Sequence, residues 1–377
     1  MLRNVRVLDS LKIVEDVTSS FGFSPISVTR LRFPHIFLVD IKDRSSTTER
    51  LFIKFSDKDE SRQIELCRAL QAAELIYTPT FKRSRDGEWC VRHDDKFWTC
   101  QSFVPTDVHY DWLSFDCSNI HCSKAGEALG SLHSKSNFIA EQLYSEGKAL
   151  TVKALIESEP GRLSKSLAEV KAFFDPVGAT PSDPGGSTLK SDSGDVGAPC
   201  VAHEIKASKD VPSDVIDAIQ KVLSHSDKIT ARAAILCAEL AAVEQKSALV
   251  VNHGDFHSSN IIFSPAGIKL VCDWEYACIG SPLYDLSYAL YLFCFDFPSS
   301  PYDPPISAQR MEFFLDGYSR YARITGSKMR LLDKYMEYTQ LVIMRWLLDE
   351  FVDPRSHVES LSAYWKFCAC FLEQCSK

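Results

Sequence analysis

Two aspartates and an asparagine set the tightest constraint on what this chain can fold into. Asp255 and Asn260 stand five residues apart in a polar stretch, His253-Gly254-Asp255-Phe256-His257-Ser258-Ser259-Asn260. The short apolar run Asn260-Ile261-Ile262-Phe263 reads as a buried strand. Ser264-Pro265-Ala266-Gly267 is a turn signal, and a second apolar run from Ile268 to Cys272 delivers Asp273. One hairpin of this kind brings Asp255, Asn260 and Asp273 to a single spot.

That grouping suits phosphoryl transfer. One carboxylate orients the acceptor hydroxyl, and an amide oxygen with a second carboxylate holds the metal that bridges the phosphates. Protein kinases follow the same order, an Asp, an Asn five residues on, and an Asp after a hairpin. The interval from Asp273 to Asp285 is too short for a protein-kinase activation segment.

Three segments in order, His253 to Asn260, Asp273-Trp274-Glu275, and Gly280-Ser281-Pro282-Leu283-Tyr284-Asp285-Leu286, resemble the aminoglycoside phosphotransferase and choline kinase superfamily of small-molecule kinases. The resemblance extends over nearly the whole chain, apart from a Pro-, Gly- and Ser-rich insertion at 175–200 and the first twenty residues. It implies an α+β, two-lobed, protein-kinase-like fold, with a small antiparallel sheet lobe at 1–104 that binds nucleotide. A larger, mostly helical lobe at 105–377 would carry the catalytic and substrate sites. It also implies ATP and Mg2+ as cofactors.

Residue roles follow from the match. Asp255 would orient the acceptor hydroxyl and take its proton. Asn260, Asp273 and Glu275 would hold the metal, with Glu275 alternatively facing a cationic substrate. His253 would anchor the loop, His257 would position the phosphate or brace the loop, and Asp285 would brace it from the next helix. Lys54, alone among apolar neighbours in Leu51-Phe52-Ile53-Lys54-Phe55, matches the family's phosphate-contacting lysine. Its helix partner is expected to be Glu65, with Glu60 as rival. Gln101 and Phe103 would supply hinge main-chain groups to adenine. The family's glycine-containing turn over the phosphates is replaced here by Arg32-Phe33-Pro34-His35, so the cover is expected to differ, either relying on side chains such as Arg32 or His35 or being supplied less tightly.

The pattern along the chain agrees with this layout. Residues 1–20 read as an amphipathic helix, and strands are expected at 26–32, 36–41, 50–55, 81–90 and 91–103. Helices follow at 57–75, 118–133, 138–175, 210–243, 307–323, 328–351 and 357–373. The net charge of −8 shows no basic stripe, which argues against nucleic-acid binding. The 13 cysteines include no C-x-x-C pair, so reduced thiols in a cytoplasmic protein are expected. No apolar run reaches membrane-spanning length.

Asp273 to Ala277 is similar to bacterial choline kinases and thiamine kinases. An amino alcohol of the choline, ethanolamine or thiamine type is therefore the leading acceptor, with Trp346, Asp349 and Glu350 as a pocket for its cation. Lys96-Phe97-Trp98 and Asp107 to Asp111 resemble kinases of N-acetylhexosamines, which makes a sugar or aminosugar the alternative. A nucleotide-binding regulator without turnover is the alternative from another class. Oligomeric state is not written in the sequence.

Overall fold

The computed structural model describes residues 2–31, 35–42, 48–108, 110, 112, 117–147, 149–174, 211–245, 247–296 and 306–353. Arg32, the 175–200 insertion and the expected helix at 357–373 lie outside them. The chain divides into two compact units. The first joins Met1–Val152, Ser247–Phe295 and Ser307–Met329, and the second joins Lys153–Lys246, Asp296–Ile306 and Arg330–Lys377.

The first unit opens with helix α1 (Leu2–Ser20), then strands β1 (Pro25–Arg30), β2 (Ile36–Lys42) and β3 (Thr48–Ser56). Helix α2 (Ser61–Ala72) and strands β4 (Val91–His93) and β5 (Lys96–Ser102) complete an antiparallel sheet ordered β1-β2-β3-β5-β4. Alternation explains the burial. Phe37, Val39 and Ile41 of β2 and Leu51 and Ile53 of β3 point one way, onto Val14, Val17 and Phe21 at the end of α1. The expected amphipathic helix thus closes one face of the sheet.

Five strands are present, but the fourth differs from the reading at 81–90. Only Phe81 bridges to Gln101. Residues 83–89 instead fold upon themselves. Ser84 N–H donates to Glu88 O at 2.8 Å, and the Arg83 and Arg68 guanidinium groups lie 4.2 and 4.5 Å from the Trp89 ring. The β4–β5 turn places Asp94 and Asp95 at φ 49° and 59°, a conformation aspartate tolerates better than most side chains.

Helix α3 (Asn119–Lys135) is capped by Ser118, whose Oγ accepts from His121 N–H at 3.2 Å. Helix α4 (Asn137–Ser145) follows. Strand β6 (Val250–Asn252) pairs with β9 (Cys278–Gly280), and between them stands the hairpin of β7 (Ile261–Ser264) and β8 (Gly267–Val271). Helices α8 (Leu283–Cys294) and α9 (Ala308–Ser319) end the unit.

Helices α3 and α9 meet backbone to backbone. A Cβ built on Gly126 would lie 2.0 Å from Phe314 O, and one on Gly317 would lie 2.0 Å from Ser123 O. Gly317→Ala should therefore destabilise the protein by about 1–3 kcal/mol, because the helices must separate to admit a methyl group. Urea unfolding checks this, and an unchanged midpoint would contradict the close approach.

The second unit contains helices α5 (Val152–Phe174), α6 (Ser213–Ser224) and α7 (Ser226–Glu244), and most of α10 (Gly326–Val352). Charged side chains knit it together. Arg345 Nε donates to buried Glu159 at 2.5 Å, Arg232 pairs with Glu337, and Tyr335 Oη donates to Glu244. Among the described residues, no helix is long and apolar enough to cross a membrane. The cysteines among them are free thiols.

Candidate active site

The expected hairpin forms and gathers the expected residues. Paired β6 and β9 fix the two ends of the segment, and Cys272 N–H donates to Asn260 O at 2.9 Å across the hairpin's base. Asp273 therefore leaves β8 beside the 3-10 turn Ser258–Asn260. Its backbone is left-handed, φ 62° and ψ 62°, a costly conformation for a residue with a side chain.

The loop before Asn260 is held from below. His253 Nε2 donates to Cys272 O at 2.9 Å, and its Nδ1 accepts from Asp255 N–H at 3.3 Å. The backbone thus assigns the tautomer, and burial lowers the imidazole pKa. Asp285, fully buried in the first turn of α8, accepts from His253 N–H at 2.5 Å and Gly254 N–H at 2.8 Å. Tyr318 and His133 extend this support. Tyr318 Oη lies 2.9 Å from His133 Nδ1, and His133 Nε2 lies 3.6 Å from Asp285. Gly254 is required twice over. Its φ is +83°, and a Cβ there would fall 2.0 Å from Tyr276 O.

Asp255 sits in a ring of donors. Asn260 Nδ2 donates to Oδ2 and to the main-chain oxygen, each at 3.0 Å. His257 Nε2 lies 3.2 Å from Oδ2, and Tyr288 Oη donates to Oδ1 at 2.8 Å. Burial alone would raise the Asp255 pKa. The neighbouring His257 and the hydrogen bonds from His257 and Tyr288 outweigh it and hold the group below the usual carboxylate value. His257 is steadied in turn by Ser259 Oγ at 2.9 Å from Nδ1 and by the edge of Trp112.

Lys54 reaches the same place from β3. Its Nζ lies 3.1 Å from Asp273 Oδ1, 3.4 Å from Glu60 Oε1 and 3.5 Å from Glu275 Oε2. Burial opposes its charge, but the carboxylates of Asp273, Glu60 and Glu275 prevail and raise its pKa. His35, in the turn that replaces the glycine loop, is lowered by burial and by the neighbouring Lys54 charge. Its ring packs edge-on against Phe55 at 6.1 Å.

One expectation is corrected, and two others meet competing contacts. The helix-side partner of Lys54 is Glu60, not Glu65. Helix α2 begins at Ser61, so Glu60 stands at its N-cap beside Lys54, whereas Glu65 faces outward from a helix that buries Ile64, Cys67 and Leu70. At the expected hinge, the Phe103 N–H donates to Arg50 O at 3.1 Å, and Gln101 is a β5 residue opposite Phe52. Asp349, in the second unit, accepts from Ser166 Oγ at 2.5 Å and Arg345 Nη1 at 2.6 Å, so its charge already serves an arginine. Trp346 and Glu350 beside it are half-buried. Sequence reading passed over Tyr288 and Trp112 altogether; no spacing rule points from either to Asp255.

The donor set fits magnesium. Asn260, Asp273 and Glu275 offer hard oxygen ligands, and the amide nitrogen of Asn260 is already occupied by Asp255. Among the described residues, no group of three His, Cys, Asp or Glu side chains is arranged to hold a metal alone. Two carboxylates and an amide match an ion that retains water or phosphate oxygens in its shell.

A sequence profile of the phosphotransferase enzyme family matches residues 194–324, the part that contains all three motif segments. No curated protein matches the chain significantly. Solved structures share its fold along almost its entire length. A spectinomycin phosphotransferase bound to ADP and spectinomycin aligns with TM-score 0.55 at 11% identity, covering 97% of this chain and 98% of its own. A microcompartment-associated aminopropanol kinase aligns with TM-score 0.56 at 14%, covering 96% and 95%. Amicoumacin kinase with AMP-PNP, Ca2+ and amicoumacin aligns with TM-score 0.51 at 14%, covering 98% and 96%. The expected α+β kinase-like fold is thereby borne out, and the profile match falls on the segment that carries the three motifs.

Proposed function

We propose that this chain, like the aminoglycoside phosphotransferase and choline kinase superfamily in motif and fold, transfers the terminal phosphate of ATP to a hydroxyl of a small molecule. The observation that carries the reading is the convergence of Asp255, Asn260 and Asp273 on one hairpin, with Lys54 at 3.1 Å from Asp273. Asp255 orients the acceptor hydroxyl and receives its proton as the bond to phosphorus forms. Lys54 turns from Asp273 and Glu275 to neutralise phosphate charge, and Glu60 keeps it in reach. Asn260, Asp273 and Glu275 would hold Mg2+, which when bound neutralises charge on the phosphate oxygens. His253 and Asp285 keep the loop in shape.

The acceptor class we propose is an amino alcohol of the choline, ethanolamine or thiamine type. Carboxylate charge at Glu275, where the metal does not take it up, favours a cation, and half-exposed Tyr276 offers an aromatic face for it. The aminopropanol kinase that shares this fold acts, by its name, on such a molecule. The test is magnesium-ATP consumption against choline, ethanolamine, aminopropanol, thiamine, homoserine, hexosamines and aminoglycosides. Stimulation by an amino alcohol alone supports the full reading. Stimulation by a hexosamine keeps the reaction and replaces the acceptor. Nucleotide binding without turnover on any acceptor removes the enzyme reading. In the same assay, Lys54→Met should weaken magnesium-ATP binding by about tenfold or more, the loss of one charge-assisted contact.

A further inference from the structure

Tyr288 stands on α8, and its hydroxyl contacts Oδ1 of Asp255 at 2.8 Å. Trp112 hydrogen-bonds that same hydroxyl, and its ring meets His257 edge-on with centroids 6.1 Å apart. The direction of this chain is fixed by chemistry. An indole N–H can only donate. The Tyr288 oxygen must therefore accept from Trp112, and its own hydrogen is turned toward Asp255.

The consequence appears when the lone pairs of Asp255 are assigned. A carboxylate presents about four acceptor positions, two on each oxygen. Among the described residues, Oδ2 receives Asn260 Nδ2 and faces His257 Nε2, which Asn260 Nδ2 also meets at 3.1 Å, and Oδ1 receives Tyr288 alone. One position remains, on Oδ1, beside the tyrosine. We propose that Trp112 and Tyr288 form a directed hydrogen-bond brace on Asp255, making Tyr288 a positioning residue that presents the remaining Oδ1 lone pair to the acceptor hydroxyl. This rests on the phosphotransferase reading above.

The brace acts on geometry, not on binding. Without the Tyr288 hydroxyl, Oδ1 has no described donor to hold it, and the carboxylate can turn about its last torsion. Small errors in the reacting geometry lower the rate of a bound complex strongly. The effect should therefore fall on kcat, with KM for the acceptor and the magnesium-nucleotide Kd little changed.

The experiment uses the full-length protein with Tyr288→Phe and Trp112→Phe. The brace is read without turnover, from hydrogen exchange of the Trp112 indole N–H by NMR, assigned by its disappearance in Trp112→Phe. Tyr288→Phe should speed that exchange by about tenfold, the loss of one hydrogen bond to a half-buried donor. With the best acceptor of the panel, Tyr288→Phe should lower kcat by about tenfold. Trp112→Phe should lower it less, because the tyrosine hydroxyl remains but loses its fixed direction. Melting curves matching wild type show that both variants fold. Unchanged indole exchange in Tyr288→Phe overturns the brace. A wild-type kcat, or a loss confined to KM, overturns the positioning role. If wild-type protein turns over no acceptor, the reaction Tyr288 is proposed to serve is gone and the positioning role falls with it, while the exchange data still decide the brace.

Discussion

Asp255→Asn should lower acceptor-dependent ATP turnover by about 10²–10⁴-fold, the range for loss of a positioned acid–base group. The substitution preserves shape and removes the charge. It also replaces an oxygen by an NH2 where Asn260, His257 and Tyr288 all direct hydrogens. The NH2 must face either the Oδ2 donors or Tyr288, whose hydroxyl would have to turn its own hydrogen away, so the replacing amide cannot accept the hydroxyl proton and loses part of the carboxylate's hydrogen bonding. Nucleotide affinity should change little, because Lys54 and Asp273 are untouched. Single-turnover kinetics beside calorimetric nucleotide binding make the check. A variant retaining more than about a tenth of the wild-type rate would show that Asp255 is not the proton acceptor.

Asp285→Ala carries the largest expected effect on stability. The side chain is fully buried and accepts from two consecutive backbone N–H groups, those of His253 and Gly254. Removing it strands both donors in a dry interior at about 1–3 kcal/mol each. A loss of about 3–5 kcal/mol follows, a large part of the roughly 5–15 kcal/mol that holds an ordinary domain together. His133 also loses its neighbour at 3.6 Å. Asp285→Asn keeps one acceptor oxygen and should fall between wild type and alanine. Urea unfolding orders the three proteins; equal midpoints would show that the loop holds itself.

The parts of the site that were legible in the sequence are local. Asp255, Asn260 and Asp273 lie within one hairpin, whose strands and turn are set by neighbouring residues. Lys54 was legible because a lone cation among apolar strand residues needs a partner. The parts that were not legible depend on where elements begin and how they pack. Glu60 and Glu65 sit near the same helix start, and only the true first residue of α2 decides between them. The expected strand at 81–90 gives way to a fold-back in which Arg68, on α2, and Arg83 both stack on Trp89, and the contact from α2 is not visible in the local pattern. Tyr288 could not be found from its neighbours, since α8 presents it to Asp255 from 33 residues along the chain. Asp349 looked like a ligand carboxylate because its arginine partner's employment by Glu159 is visible only in three dimensions.

Lys54 meets three carboxylates, Glu60, Asp273 and Glu275, within 3.5 Å. Among the described residues, one cation against three anions leaves the pocket with an electrostatic deficit before any substrate arrives. A bare polyphosphate would enter against that field. On the proposed function the pocket should act as a filter on ionic form, admitting a nucleotide that brings its own countercharge and turning away one that does not. Order of addition then follows from charge alone: the donor should arrive as a preformed ion complex, and free ATP in excess of divalent cation should compete poorly for the site.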